Sequence, residues 1–427
     1  MNLDNSNIVP YRVKYFYMFM MFLWMARTTP LTSFNFGKNP VFMPLYLVIL
    51  AYFYIKYCKY SYKPLLLLSL LFVGLYVISC LKYDNIQTFS FQPIYYLIIT
   101  HVAFNIYNKN DFLFLFEKIL VQLCILSLIV WGLANLFPSF FPSFMHRIAV
   151  YENHSPTEAN SIIVGIGESF AVGIRRNIGF TWEPGIFSCF VILGMYFNMI
   201  RNKFKILSIR KNWNFYILLI TLFSTLSTTG YSALGFLILF YILNASVKAK
   251  LFVIVLSIIA LPSIISLSFM SDKIVGLMDI DNEIKAINYQ NGQGMDVITP
   301  QRFGGLYLDV LNFINDPLFG FGQNENSYVQ NVMFNGVGIW MSDGVIQVLA
   351  RYGIFMGAFF YYNLFKSSKY ISRVFQYKGQ YMFAFLFILI SISYDFWENC
   401  ILMYIYFCAF YMRYSQAYVK QWNMNKN

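Results

Sequence analysis

The fold class this sequence predicts is an all-α polytopic membrane protein with about twelve transmembrane helices. Three observations predict it. The 427 residues are 58% hydrophobic, 20% aromatic and only 12% charged, whereas globular chains average roughly 45–50% apolar and about 25% charged. The apolar residues lie in runs long enough for membrane helices. The charges also segregate by loop, which a bilayer imposes and a soluble core does not.

The apolar runs predict spans at 15–26, 41–55, 65–81, 91–107, 119–137, 184–200, 213–228, 231–247, 251–270, 344–365, 380–394 and 397–412. The first ends in Arg27-Thr28-Thr29-Pro30 without a small-x-small cleavage site, so we expect a retained helix and not a signal peptide. With the N-terminus in the cytoplasm, 21 of the 31 basic residues fall on the inner side, together with only three acidic ones, Asp4, Asp111 and Glu117. The other 16 acidic residues are then outside or at outward helix ends. This fits twelve helices with both termini cytoplasmic. It also removes nucleic acid as a partner of the basic chain, because the positive excess is dispersed over short cytoplasmic loops. The partner it implies is the lipid bilayer. Residues 1–427 then form one integral membrane domain with two long outward segments, 138–183 and 271–343.

The first outward segment ends Arg175-Arg176-Asn177-Ile178-Gly179-Phe180-Thr181-Trp182-Glu183-Pro184-Gly185. Pro184 suits the first turn of a helix, which puts Glu183 at its positive end. Arg175 and Arg176 could anchor lipid phosphates while Glu183 caps the helix, or all three could serve a site. Next, Ser224-Thr225-Leu226-Ser227-Thr228-Thr229-Gly230-Tyr231-Ser232 places six Ser or Thr hydroxyls in nine residues at an outer turn that Gly230 permits. These hydroxyls can satisfy freed backbone groups or line a cavity and bond sugars.

The second outward segment interleaves amides, among them Asn324 and Asn326, with aromatics such as Tyr289, Phe303, Tyr307 and Trp340. Thr299 as N-cap and Pro300 at the first position predict an amphipathic helix over 300–316, lying on the outer membrane surface. Arg302 sits in its first turn, where the dipole disfavours a cation unless an anion is near. Pro317-Leu318-Phe319-Gly320-Phe321-Gly322 then gives a flexible turn. Arg351 falls two turns into the tenth span, where an arginine faces a partner or snorkels outward. Asp343 could be its partner, and Asp395 and Glu398 could belong to the same pocket, although they read first as a solvated turn. Six cysteines without a CxxC pair read as small apolar residues. With no clustered Cys or His, no metal site is expected, and no cofactor.

The order of these elements resembles the O-antigen polymerase (Wzy-type) and O-antigen ligase superfamily. Arg176-x-x-Gly179-Phe180-x-x-Glu183-Pro184-Gly185 is similar to its Arg-x-x-Gly and Glu-Pro element. Ser227-Thr228-Thr229-Gly230-Tyr231-Ser232 is similar to its Ser/Thr-rich turn. Arg302, Pro317 to Gly322, Asp343 and Arg351-Tyr352-Gly353 resemble its large outer loop and the helix after it. The resemblance implies a GT-C-like, metal-independent membrane glycosyltransferase acting on sugar chains carried by undecaprenyl pyrophosphate. It implies Arg176 and Arg302, with Arg175 or Arg351, on the pyrophosphate, where guanidinium forks suit the group. Glu183 or Asp343 would be the base, and Thr229, Tyr231, Asn324 and Asn326 would hold sugars. A chain-length regulator is a further partner of such an enzyme. Ligases of the superfamily are associated with a histidine in the long outer loop. Residues 271–343 contain none, which favours polymerisation. A flippase for the same lipid-linked units is the rival from another class. It would need charges along a path through the bilayer, whereas the polar residues here crowd the outer side.

Overall fold

The computed structural model describes residues 9–25, 42–58, 62–83, 92–148, 151–152, 159–160, 163–167, 173–206, 210–251, 253–254, 297–298, 302–322, 327–334, 338–339 and 344–414. The chain is mostly helical. In order come α1 (Tyr11–Met25), α2 (Phe42–Tyr57), α3 (Lys63–Tyr83), α4 (Gln92–Ile106), α5 (Lys109–Leu136) and α6 (Phe140–Ile148). These are followed by α7 (Pro184–Arg201), α8 (Trp213–Ser224), α9 (Thr228–Asn244) and α10 (Arg302–Asn315). The last are α11 (Gln347–Phe375), α12 (Met382–Ser391), α13 (Cys400–Tyr406) and α14 (Cys408–Tyr414). Helices α3, α5 and α7 are long and apolar enough to cross a membrane, and several shorter helices are apolar as well.

Two-residue strands β1 (Tyr151–Glu152), β2 (Ala159–Asn160) and β3 (Gly165–Ile166) form an antiparallel sheet in the first long segment. In the second, β4 (Val297–Ile298) pairs parallel with β5 (Gly338–Ile339). Between them α10 spans Arg302–Asn315, inside the predicted 300–316. Its Thr299 and Pro300 lie outside the described residues, as does the ninth predicted span, 251–270, apart from residues 251 and 253–254.

The core is built around α7. Every residue from Pro184 to Ile200 is buried, as expected for a helix apolar on all sides. It packs against α5, α8 and α9, while α12 lies against α9 and α13 against α4. The contacts are largely aromatic, with Tyr404 of α13 stacked on Phe104 and Phe112. Such pairs supply much of the packing energy where apolar burial from water is weak.

Three predicted boundaries are corrected. The fifth span begins at Lys109, not 119, because Asn108 caps it by accepting from the Asp111 amide. At about 1.5 Å per residue, its 28 residues extend past a hydrocarbon core of about 30 Å. The seventh and eighth spans meet at Thr225–Ser227, because Ser227 caps α9 by accepting from Gly230 N. Gly230 therefore lies inside α9 and does not make the turn. It is glycine because a Cβ would stand 2.7 Å from Ser188 Cβ on α7, and Leu226 supplies the positive φ of the turn instead. The last two predicted spans, 380–394 and 397–412, are shortened at their facing ends, because the turn between them widens to an unwound stretch, 392–399, between α12 and α13.

Candidate functional site

Asn177 fixes the segment that leads into α7. Its amide nitrogen Nδ2 donates to Ser224 Oγ at 2.9 Å and to Ser127 Oγ at 3.2 Å. Its backbone N–H donates to Ser224 O, and its Oδ1 accepts from Gly179 N. The segment is thereby bolted to α5 and α8. Arg176 beside it donates from Nε to Thr225 O and from an Nη to Leu226 O, both at 3.2 Å. These carbonyls belong to the C-terminal end of α8, which carries negative dipole charge and leaves acceptors unsatisfied. The guanidinium fork thus supports the Ser/Thr turn with part of its donor set. Arg175 takes a different direction. Its backbone N–H donates to Asn135 Oδ1, its carbonyl accepts from Trp131 Nε1, and its guanidinium meets Gly167 O at 3.4 Å. The two arginines are therefore divided between separate partners.

Glu183 occupies the N-cap position of α7 by backbone geometry, yet its side chain makes no cap hydrogen bond. Its Oε1 instead accepts from the Tyr394 hydroxyl at 2.6 Å. Glu183 thus stands at the positive end of α7, as expected, without a hydrogen-bonded cap. Thr181 Oγ1 donates to the carbonyl of Ile178 or of Glu183, both at 2.9 Å. Thr229 Oγ1 lies 2.6 Å from Ser393 Oγ, so the unwound stretch touches both the Glu-Pro-Gly element and the Ser/Thr turn. Tyr231 is buried, and its hydroxyl donates to Phe223 O at 3.0 Å. This is a structural bond to the last turn of α8.

Arg351 stands at a break. Gly353 has φ 73° and ψ 178°, which splits α11 after its first turn and a half. The carbonyls of Ala350 and Arg351 accept from Phe321 N and Gly322 N, each at 3.0 Å, and Ile354 N donates to Pro317 O at 2.8 Å. Gly320 and Gly322 have positive φ because the turn must fold flat against the opened helix. The amides of Phe321 and Gly322 therefore bond α11 backbone, and the turn is a mount for Arg351. The arginine pairs with Glu398 at 3.6 Å, and the Tyr352 hydroxyl donates to the same carboxylate. Asp395 is within electrostatic reach of the guanidinium. The solvated-turn reading of Glu398 is corrected: its carboxylate, 16% exposed in an unwound stretch, is paired with the half-buried Arg351 guanidinium. Asp343, Asn324, Asn326 and the Arg302 side chain lie outside the described residues. Gly344, next to Asp343, packs its backbone against Tyr394 and Asp395, and its N–H donates to Ser391 O at 2.6 Å.

The stretch 392–399 therefore gathers Glu183, Thr229 and Arg351 around one irregular backbone segment. Irregular backbone is tolerated where the surrounding protein satisfies its polar groups. Chemically, the arrangement offers a carboxylate held by a phenol and a second carboxylate paired with a guanidinium. Asn177, Tyr394 and Ser393 escaped sequence reasoning, since a residue's partner across the bundle leaves no periodic signal. Among the described residues no group of His, Cys, Asp and Glu could hold a metal ion. Comparison of the chain with protein-family models and with curated proteins finds no match.

Proposed function

We propose that this chain is a membrane glycosyltransferase that polymerises lipid-linked oligosaccharide repeat units on the outer face of the bacterial inner membrane. The single observation that carries the reading is the meeting of Glu183, Thr229 and Arg351 on the unwound stretch 392–399. All three belong to elements whose order resembles the O-antigen polymerase pattern.

The proposed topology has twelve spans with both termini inside. It is supported by which helix ends bond one another. Ends assigned to the cytoplasm meet in Lys14–Asp111, Arg201–Glu117 and Asn244–Lys378. Ends assigned outside meet in Arg176–Thr225, Thr229–Ser393, Glu183–Tyr394, Lys82–Asp316 and Arg351–Glu398. An incorrect count in the middle of the chain would set such pairs against one another.

In the reaction, a hydroxyl of the next lipid-linked unit attacks the anomeric carbon of the growing glycan. The new glycosidic C–O bond forms as the bond to the undecaprenyl pyrophosphate breaks, and the leaving group keeps the electron pair. The proton passes to Glu183, or to Asp343. Arg176 and Arg302, with Arg175 or Arg351, stabilise the charge on the leaving pyrophosphate by fixed, oriented donors. Thr229, Asn324 and Asn326 form the sugar subsites, and the buried Tyr231, bonded to Phe223 O, supports the wall behind Thr229.

The test is polysaccharide length on a gel from cells deleted for the gene and complemented with wild type or Arg176→Ala. Collapse of a ladder to a core-plus-one-unit band, restored only by wild type, is the expected result. Complete loss of even the single unit overturns the reading in favour of a ligase or flippase.

A further inference from the structure

We propose that Tyr394 is the positioning residue for the Glu183 carboxylate, and that residue 185 is glycine in order to admit the Tyr394 hydroxyl. The inference rests on the reading of Glu183 as the base that accepts the acceptor's proton, and it names the device that aims it.

Three independent features support it. At a helix N-cap the short Asp, Asn, Ser and Thr side chains turn back to bond the N2 or N3 amide, whereas the longer Glu183 side chain can reach elsewhere. Glu183 has the extended N-cap backbone, at φ −147° and ψ 139°, yet makes no such bond. Its Oε1 instead accepts from the Tyr394 hydroxyl at 2.6 Å, which swings the carboxylate toward the unwound stretch. Next, the three atoms nearest a Cβ position at Gly185 all belong to the Tyr394 side chain. A Cβ there would lie 1.9 Å from the Tyr394 hydroxyl oxygen and 2.7 Å from its Cζ. Phenol and glycine therefore fit as a pair, and any larger side chain at 185 would push the hydroxyl off Glu183. Lastly, Tyr394 is held from behind. Gly344 is so close that a Cβ would stand 2.7 Å from the Tyr394 carbonyl oxygen, and the adjoining Ser393 bonds Thr229 at 2.6 Å. The ring thus reaches Glu183 from a backbone fixed on two sides. Removing its hydroxyl leaves the carboxylate in place but no longer aimed.

The test is steady-state elongation by purified full-length protein in nanodiscs. The probe is lipid-linked oligosaccharide extracted from membranes of cells lacking this gene. Tyr394→Phe and Gly185→Ala are each expected to lower kcat on the order of tenfold or more, as misplacement of a reacting group does, with KM for the probe unchanged. The combined variant is expected to be no slower than either single one, because both act through one contact. Membrane abundance and gel-filtration profile report folding, and Gly185→Ala carries the test should Tyr394→Phe not be recovered. Wild-type elongation with unaltered kcat in both variants overturns the positioning role alone. A raised KM at constant kcat also overturns it, by making Tyr394 a substrate contact, and so do independent effects that multiply in the combined variant. A wild-type protein that does not lengthen the probe overturns the polymerase reading together with this role.

Discussion

Arg176 has two duties in this account, and substitution separates them. Its fork bonds two carbonyls at the end of α8 and is assigned to the pyrophosphate. Arg176→Ala is expected to abolish elongation and to lower stability by roughly 1.5–3 kcal/mol, the range for hydrogen bonds to a charged group. Arg176→Lys keeps the charge, but an ammonium cannot reproduce a planar fork across two acceptors, so partial recovery is expected. Thermal melting in detergent beside the gel ladder checks both; full recovery of stability and ladder by lysine would contradict the fork's role. Glu117 makes the opposite case. It is fully buried and bonded by Arg201, Asn198 and Asn214, at the end of the bundle assigned to the cytoplasm. Glu117→Ala strands Arg201 and should cost about 3 kcal/mol, the low end for a broken buried pair because Arg201 is part-exposed. Protein abundance should fall while elongation per molecule holds. A drop in per-molecule rate at normal abundance would give this cluster a role in the reaction.

At the scale of elements, the opened helix at Gly353 is the feature that most needs its residue. A Cβ there would meet Leu318 O at 2.1 Å, and φ is +73°. Gly353→Ala should therefore lose the mount of Arg351, and elongation with it. Gly74 in α3 has nothing within 4 Å of its Cβ position, so Gly74→Ala should be neutral or stabilising. Melting temperatures of the two variants check the pair; equal behaviour would deny the break its role. The break also explains what the sequence concealed. Pro317 to Gly322 reads as a flexible turn, yet its Phe321 and Gly322 amides are fixed on the α11 backbone. Likewise Lys109, Asp111, Glu117 and Lys118 read as loop charges, because hydropathy counts a charge as exposed. A cap at Asn108 and the pairing of buried Glu117 with Arg201 made them helical. Helix existence followed from composition, and helix ends depended on partners that lie far away in the chain. Tyr394 and Glu183 are 211 positions apart, so their pairing has no local signature at all.

For the molecule as a whole, the proposed sidedness rests on charge, because a bilayer sorts basic residues by loop whatever the tertiary packing. It predicts that Ile174→Cys, in a variant freed of native cysteines, reacts with an impermeant maleimide in intact spheroplasts. Lys205→Cys should react only after permeabilisation. Reversed labelling would invert the topology and put the site on the wrong face for an outer-leaflet substrate. The catalytic claim is tested most directly by reconstitution. Purified protein in proteoliposomes is given lipid-linked oligosaccharide with a chelator present, and product length is read by mass spectrometry. The account predicts glycans longer by whole repeat units, each added with release of one undecaprenyl pyrophosphate. Units that move between leaflets without growing, or that do not grow at all, would contradict it.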